Sequence, residues 1–361
     1  MKFIHMADMH FDAPFTVLNT RSNLGEKRRL EQREVFKKVI TYIKENNIEY
    51  LFIAGDLYEN ELVRESTIQY INNLFEEIPT TKIFIAPGNH DPYIKNSYYE
   101  TYNWSNNVII LKPGNQVYEE SEFYLYGYGF GDFHCNDSKI HEIKIKNREK
   151  INILLTHANL DGSKAGEEEY NPLPRRILKE KGFDYIALGH IHKTNYQEET
   201  DNIFYPGSLI SLGFDEIGEH GMIVGEIQKN GINAEIKYEF IPVDNRKFEE
   251  IIIDITDKFD IETIIETINE IPENNNYIKI ILTGKRSFEI DLAKIRKNIK
   301  NSRILKIKDE TKLQIDLEKE KNDYTLKGLF IKEAFEGIKR GEYSQEEIEK
   351  VLEIGLDIFE Q

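Results

Sequence analysis

Residues Lys82–Tyr93 read "KIFIAPGNHDPY": an apolar run, Ile83–Ala86, breaks on Pro87-Gly88 and then gives three positions to Asn89, His90 and Asp91. A polar turn closing a buried strand explains one such break. The same form recurs along the chain. Phe3–Ala7 ends in Asp8-Met9-His10, Tyr50–Ala54 in Gly55-Asp56, Ile151–Leu155 in Thr156-His157, and Tyr185–Leu188 in Gly189-His190-Ile191-His192. Val108–Leu111 is a further apolar run. Runs without alternation describe strands buried on both faces. Between the first three lie stretches with helical spacing: Val35, Phe36, Val39, Ile40 and Ile43, then Ile68, Ile71, Leu74 and Phe75. Strand–helix alternation of this kind predicts a layered α/β fold.

In open α/β sheets, ligands bind outside the carboxyl ends of the strands. Five runs that deliver carboxylate, imidazole or amide at that end therefore predict one shared site. Asp8, His10, Asp56, Asn89, His157, His190 and His192 offer oxygen and imidazole nitrogen but no sulfur, a set suited to hard-to-borderline divalent ions. Seven donors exceed the needs of one transition metal. Two ions about 3.5–4 Å apart, sharing one carboxylate, would use them and would serve phosphate-ester hydrolysis by a metal-activated water. His90 is then left beside the site to touch the phosphate or protonate a leaving oxygen. Any one of these histidines, taken alone, reads more simply as a structural residue; the set does not. His5, inside the first run, reads as a hydrogen-bonded core residue, and His134, His141 and His220 as surface or supporting residues.

The rest of the chain bounds this reading. At 361 residues it suggests two domains and a tail. One cysteine, Cys135, leaves no internal disulfide and fits a reducing compartment. The N-terminal "MKFIHMADMHF" lacks the apolar core of a signal peptide, and no run approaches the ~20 apolar residues of a membrane span, so a soluble cytoplasmic protein is expected, with no membrane partner. The net charge of −17 argues against a nucleic-acid platform over the whole surface, though metal ions would supply positive charge locally. Basic clusters at Lys27-Arg28-Arg29 with Arg33, and at Arg175-Arg176 with Lys179 and Lys181, are interleaved with glutamates and read as solvated helix faces. Lys294–Lys308 carries no acid and is a candidate phosphate-backbone contact.

After Gly218 the alternating stretches "GMIVGEI" and "AEIKYEFIPV" suggest strands completing a second sheet. Beyond a loop at Pro242–Phe248, strand, helix, strand, helix and strand are expected at 251–255, 261–271, 277–283, 291–300 and 303–308. Residues 325–359 read as two amphipathic helices. Their oily positions are Leu326, Leu329, Phe330, Phe335 and Ile338, then Ile348, Val351, Leu352, Leu356 and Phe359. The second helix opens with Ser344 and Glu347 at capping-box spacing.

Asp8-x-His10, Gly55-Asp56, Gly88-Asn89-His90-Asp91, His157 and Gly189-His190-x-His192 together resemble the five motifs of the calcineurin-like metallophosphoesterases. "HMADMHFDAPF", "THANLDG", "ALGHIHK" and "YPGSL" followed by Glu216 resemble, more narrowly, the SbcD-type DNA repair exonucleases and their shorter bacterial relatives. The resemblance spans roughly residues 1 to 240 and extends more weakly to Pro242–Phe248, like the start of that family's capping domain. It implies a sandwich of two central β-sheets flanked by helices (1–243), a smaller α+β capping domain (244–322) and a C-terminal helical segment (323–361) whose oily faces either pack on the core or dock a partner, docking being the reading the resemblance favours.

Carried over by motif, Asp8, His10 and His192 hold one ion, Asn89, His157 and His190 hold the other, Asp56 bridges them, and His90 is the catalytic histidine. Asp91, Glu59 and Lys193 take supporting or phosphate-contact places. The resemblance implies Mn as the working metal, with Fe, Zn or Mg as alternatives. It also implies DNA as substrate, cut as an exonuclease or endonuclease at DNA ends in repair, an SbcC-like ATPase partner and a homodimer. The archaeal and eukaryal members carry a histidine near the phosphate where this chain has Glu59; an acidic residue there is closer to the bacterial branch. The first rival reading is a metallophosphoesterase of small substrates: a cyclic nucleotide, a nucleotide pyrophosphate or a phosphoprotein. The second is a scaffold that has lost its chemistry, against which the unbroken donor set speaks.

Overall fold

The computed structural model describes residues 1–15, 18, 24–136, 138–162, 170–194, 202–313, 321–342, 344, 347–348, 350–352 and 355. The chain divides into two compact units, one of Met1–Glu250 with Asn274–Ile278, the other of Ile251–Glu273 with Lys279–Gln361. Among the described residues no helix is long and apolar enough to cross a membrane.

In the first unit β1 (Lys2–Met6), α1 (Leu24–Asn46), β2 (Tyr50–Ile53), α2 (Glu65–Glu76), β3 (Lys82–Ile85) and β4 (Val108–Ile110) alternate as the sequence predicts. The four strands pair in parallel, with Phe3 opposite Tyr50, Tyr50 opposite Lys82 and Ile83 opposite Val108. A second sheet follows: β5 (Gln116–Glu119), β6 (Phe123–Tyr128), β7 (Ile151–His157), β8 (Tyr185–Gly189) and β9 (Ile203–Phe204), in the order β9-β8-β7-β6-β5. Only β5 runs antiparallel to its neighbour there. β5 and β6 lie outside the strands expected from sequence.

The period of two along each strand builds the layers. Leu51 and Ile53 of β2, and Ile83 and Ile85 of β3, pack with Val35, Val39, Ile68 and Ile71 of the two helices. Phe3, Phe52 and Phe84 point the other way, to Phe123, Leu125, Ile153 and Tyr185 of the second sheet. Ring centroids step from Phe3 to Phe52 at 5.5 Å, to Phe84 at 6.1 Å and to Phe123 at 6.3 Å. Each such buried side chain contributes about 1.5–3 kcal/mol. The outer face of the second sheet is covered by α3 (Arg175–Lys181) through Leu178. Two sheets flanked by helices make the α/β sandwich expected.

Two expectations need correction. The alternating stretches after Gly218 form a hairpin, β10 (Gly221–Asn230) and β11 (Asn233–Pro242), that joins β1 antiparallel and extends the first sheet, not the second. Alternation marks a strand but carries no information about which edge it pairs with. Helix α1 also begins earlier than its apolar spacing indicates, because its first turns are buried through polar groups. Arg28, wholly buried, donates from Nη1 and Nη2 to Asp244 at 3.0 and 2.5 Å and from Nη2 to the Ser211 carbonyl at 2.9 Å. Arg28 therefore lies on no solvated face. Arg29 and Arg33 are also engaged, with the Ala13 carbonyl and with Thr67.

Then come β12 (Phe248–Asp254), α4 (Ile261–Asn269), β13 (Tyr277–Thr283), α5 (Leu292–Asn298) and β14 (Ile304–Asp309), with sheet order β12-β13-β14; all but the first residues of β12 and β13 belong to the second unit. Asp260 and Asp291 cap the two helices, accepting from Thr263 N and Lys294 N at 2.8 and 2.9 Å. The basic stretch Lys294–Lys308 is partly answered by acids outside it: Lys294 pairs with Glu262 and Lys308 with Glu310. Thr325 caps α6 (Leu326–Lys339), whose Ile331 and Ala334 pack with Ile348 and Leu352. Ser344 and Glu347 make the expected reciprocal capping bonds at 2.9 and 3.3 Å. Leu326, Leu329 and Val351 are exposed, and Leu356 and Phe359 lie outside the described residues.

Candidate metal centre

The parallel strands of both sheets end together, and the backbone just beyond them is forced into the left-handed region at four non-glycine positions. Asp8, His10, Asp56 and His190 have φ of 51°, 47°, 53° and 103°. Such conformations cost about 1–3 kcal/mol each and persist where the surroundings over-determine them. Here Asp8 N donates to the Gly55 carbonyl at 3.1 Å and His10 N to the Asp56 carbonyl at 2.8 Å. Gln32 of α1 donates to the carbonyls of Met9 and His10 at 2.5 and 3.1 Å. Glycine is required twice beside them. A Cβ on Gly55 (φ 89°) would collide with the His157 ring, and one on Gly88 with the Asp56 carboxylate.

The donors converge in overlapping triads: Asp8, His10 and His192; His10, Asp56 and His90; Asp8, Asp56 and His157, each with its donor atoms within 4.8 Å of one another. His10 Nε2 lies 3.1 Å from His192 Nε2, and His157 Nε2 lies 3.3 Å from Asp56 Oδ2 and 3.0 Å from Asn89 Oδ1. His190 stands beside them, its ring centroid 5.1 Å from that of His157 and its N–H donating to Asp8 at 3.0 Å. All seven expected ligands and His90 thus meet at one place.

Whether the residues fit a metal is tested by the other nitrogen of each ring. A ligating imidazole donates its second N–H to a carboxylate or carbonyl, which fixes tautomer and orientation. His10 Nδ1 donates to Glu59 at 2.7 Å, His157 Nδ1 to the Ala54 carbonyl at 2.9 Å, and His192 Nδ1 to Glu216 at 2.5 Å. Each Nε2 is left to face the buried carboxylates Asp8 and Asp56. The residues fit divalent ions held by oxygen and imidazole nitrogen.

The electrostatics follow from burial. Burial opposes the charge on Asp56, but His157, His10 and His90 outweigh it and hold its carboxyl well below the usual range. Burial alone would lower His157 and His192. Asp56 pushes the first up to about 9, and the Glu216 hydrogen bond does the same for the second. For His190 burial wins, with His157 adding to it, and the ring is pushed down to about 3. Burial, reinforced by Asp56, raises the Asp8 carboxyl.

Of the other expected site residues, Asp91 is fully buried and organises backbone: it accepts from Asp56 N at 3.0 Å, Leu57 N at 2.7 Å, Gly88 N at 2.6 Å and Tyr99 Oη at 2.6 Å. Lys193 is exposed directly after His192. Glu216, which the sequence marks only through a resemblance, is the partner of His192, and its other oxygen accepts from Ser208 Oγ at 2.8 Å. His220 is buried rather than on the surface, bonding the carbonyls of Ser208 and Glu216 at 3.0 and 2.8 Å, and so braces that loop. His5 is the core residue expected, with Nδ1 3.0 Å from Tyr185 Oη.

Two mostly parallel sheets whose carboxyl ends gather buried imidazoles and carboxylates define a metal-dependent phosphoester hydrolase. The chain belongs to the calcineurin-like phosphoesterase family: the family model described as Calcineurin-like phosphoesterase matches residues 1–194. It is similar to "Uncharacterized metallophosphoesterase YhaO" of Bacillus subtilis (strain 168), with 24% identity over 285 residues covering 75% of this chain and 67% of that protein.

Proposed function

We propose that the chain is a two-metal phosphodiesterase that cuts DNA at its ends, with Mn as the working metal. The observation that carries it is the converged donor set, in which His10, His157 and His192 each have Nδ1 already engaged, beside a histidine left open to solvent. Two divalent cations, one held by Asp8, His10 and His192 and one by Asn89, His157 and His190 with Asp56 between, would supply Lewis acidity toward phosphate oxygens and water. His90 does the proton work. Its side chain is 45% exposed, and its Nδ1 donates to Glu59 at 2.9 Å. That hydrogen bond, with Asp56 nearby, outweighs burial and pushes the imidazole up to about 9. His90 is therefore cationic at neutral pH and placed to give a proton to the leaving oxygen.

The DNA substrate rests on the SbcD-like run of motifs and on the α+β unit after Glu250, which small-substrate members of this fold usually lack. An SbcC-like ATPase is the proposed partner, and the exposed Leu326 and Leu329 of α6 are side chains such a partner would cover. The net charge of −17 favours the small-substrate reading instead. Degradation of end-labelled linear duplex DNA with Mn, beside His90→Asn, separates the two. Cleavage reduced at least ~100-fold in the variant with its metals retained supports the proposal. DNA left whole, with and without the ATPase, while bis-p-nitrophenyl phosphate is still hydrolysed, transfers the assignment to small substrates.

A further inference from the structure

Ser208 stands between two backbone segments that deliver ligands proposed for the same ion. It forms a parallel bridge with Ala7, directly before Asp8, and its N–H donates to the His192 carbonyl at 2.9 Å. Gly207 permits that approach: its φ is 78°, and a Cβ there would lie 2.6 Å from the same carbonyl oxygen. Ser208 Oγ donates to one oxygen of Glu216 at 2.8 Å, and the other oxygen accepts from His192 Nδ1 at 2.5 Å. One short segment thus meets the backbone before Asp8, the backbone of His192 and, through Glu216, the His192 ring.

Glu216 is 8% exposed, and burying a carboxylate is costly unless it is paired and hydrogen-bonded. Among the described residues its ion-pair partner is His192 alone, and Leu212 N adds a hydrogen bond at 3.1 Å. The loop closes through backbone groups that do not need this carboxylate. Glu216 N donates to the Gly213 carbonyl at 3.2 Å, Ser211 Oγ donates to the Glu216 carbonyl at 2.8 Å, and His220 Nε2 lies 2.8 Å from that carbonyl. Loop closure therefore does not explain the buried charge, whereas holding His192 does. His157, proposed for the other ion, is held instead by the neutral Ala54 carbonyl at 2.9 Å.

We infer that Glu216, itself set by Ser208, is a positioning residue for one ion of the pair, the one assigned to Asp8, His10 and His192. The inference rests on the two-metal reading and adds that the two ions are held by separate supports. An imidazole released at Nδ1 can turn its Nε2 away from the carboxylates, and outer partners of this kind carry about 10- to 100-fold in metal affinity.

The test is calorimetric titration of the metal-free full chain with Mn, with electron paramagnetic resonance of the loaded samples. The wild type should bind two ions and give the spectrum of a coupled pair. Glu216→Ala should weaken one ion by about 10- to 100-fold, leave the other no weaker, and give the spectrum of isolated Mn at the same concentration. Glu216→Gln, whose amide oxygen still accepts from His192 Nδ1, should lose less. Ser208→Ala removes no charge and should weaken the same ion, so it reads the asymmetry even where Glu216→Ala does not fold. His192→Ala identifies the ion: adding Glu216→Ala to it should cost nothing further, whereas adding Glu216→Ala to Asn89→Ala should leave both ions weak.

The inference is overturned if Glu216→Ala weakens both ions equally or neither, or if it weakens binding further in His192→Ala. The wild type keeps the two readings apart. A wild type that binds the pair and hydrolyses bis-p-nitrophenyl phosphate, beside a Glu216→Ala variant with the same affinities, removes the role of Glu216 alone. A wild type that binds no pair of ions counts against the phosphodiesterase itself.

Discussion

Glu59 accepts a hydrogen bond from His90 Nδ1 at 2.9 Å on one carboxylate oxygen, while the other accepts from His10 Nδ1 at 2.7 Å. One acid orients both an imidazole of the buried cluster and the imidazole open to solvent. Burial works against its charge, but the two hydrogen bonds hold the carboxyl down at about 2. Glu59→Ala should lower kcat on bis-p-nitrophenyl phosphate by about 10- to 100-fold. Glu59→Gln should lose less, since its amide oxygen still accepts from one ring. Steady-state kinetics with metal content measured on the same samples checks this; wild-type turnover in Glu59→Ala would show that the two hydrogen bonds position nothing.

The charge on His157 and His192 links metal uptake to pH. Burial would lower both rings, yet Asp56 acting on the first and Glu216 on the second push them up to about 9. A metal takes the neutral imidazole, so at pH 7.5 both protons must leave as it binds. His190, pushed down to about 3, is already neutral and releases none. Titration calorimetry of the metal-free protein with Mn in buffers of different ionisation heat should therefore show release of about two protons per chain. The sign follows: affinity falls as pH drops from 9 toward 7. A constant affinity across that window contradicts the assignment.

Arg28 carries a different kind of consequence. Its guanidinium is wholly buried, with Asp244 at 2.5 Å, the Ser211 carbonyl at 2.9 Å and Glu31 at 3.0 Å. Removing one member of a buried ion pair leaves the other uncompensated and costs about 3–5 kcal/mol. Arg28→Ala should therefore lower Tm by roughly 6–20 °C. Activity per folded molecule at 25 °C should change little. Because the residues share one network, Arg28→Ala with Asp244→Ala should cost less than the sum of the singles. Additive losses would show that the pair is not coupled.

These three cases mark where sequence stops being legible. Asp8, Asp56, Asn89, His157 and His190 stand out because each follows an apolar run, and a strand buried on both faces has little other reason to end that way. Glu216 does not stand out, because a glutamate in a loop looks the same whether or not it holds His192. Arg28 reads as a solvated face for the same reason. It sits among charged neighbours in α1, and its burial is decided by Asp244, 216 residues away. Likewise the hairpin β10–β11 declares its alternation but not its partner, since β1 and the edge of the second sheet offer the same backbone groups. Local periodicity encodes elements and their ends; partners far along the chain are encoded only in the packed structure.

His5 offers the cleanest acid test of that packing. It lies in β1 with no exposed surface, its Nδ1 3.0 Å from Tyr185 Oη and its ring edge-on to Tyr185 at 5.8 Å. Burial pushes the imidazole down to about 3 from the ordinary 6.5. Between those values the unfolded chain binds a proton that the folded chain refuses. The contribution is therefore complete above pH 6.5 and is lost at roughly 1.4 kcal/mol per unit as pH falls toward 3. In His5→Leu the Tyr185 hydroxyl loses its partner, so the variant should be the less stable at pH 7, but it carries no such acid slope. Urea unfolding of both metal-free proteins at pH 6.5 and 5.5 should then show the gap between them narrowing by about 1 kcal/mol as pH falls. A gap that stays constant would mean that His5 takes up its proton without leaving the core.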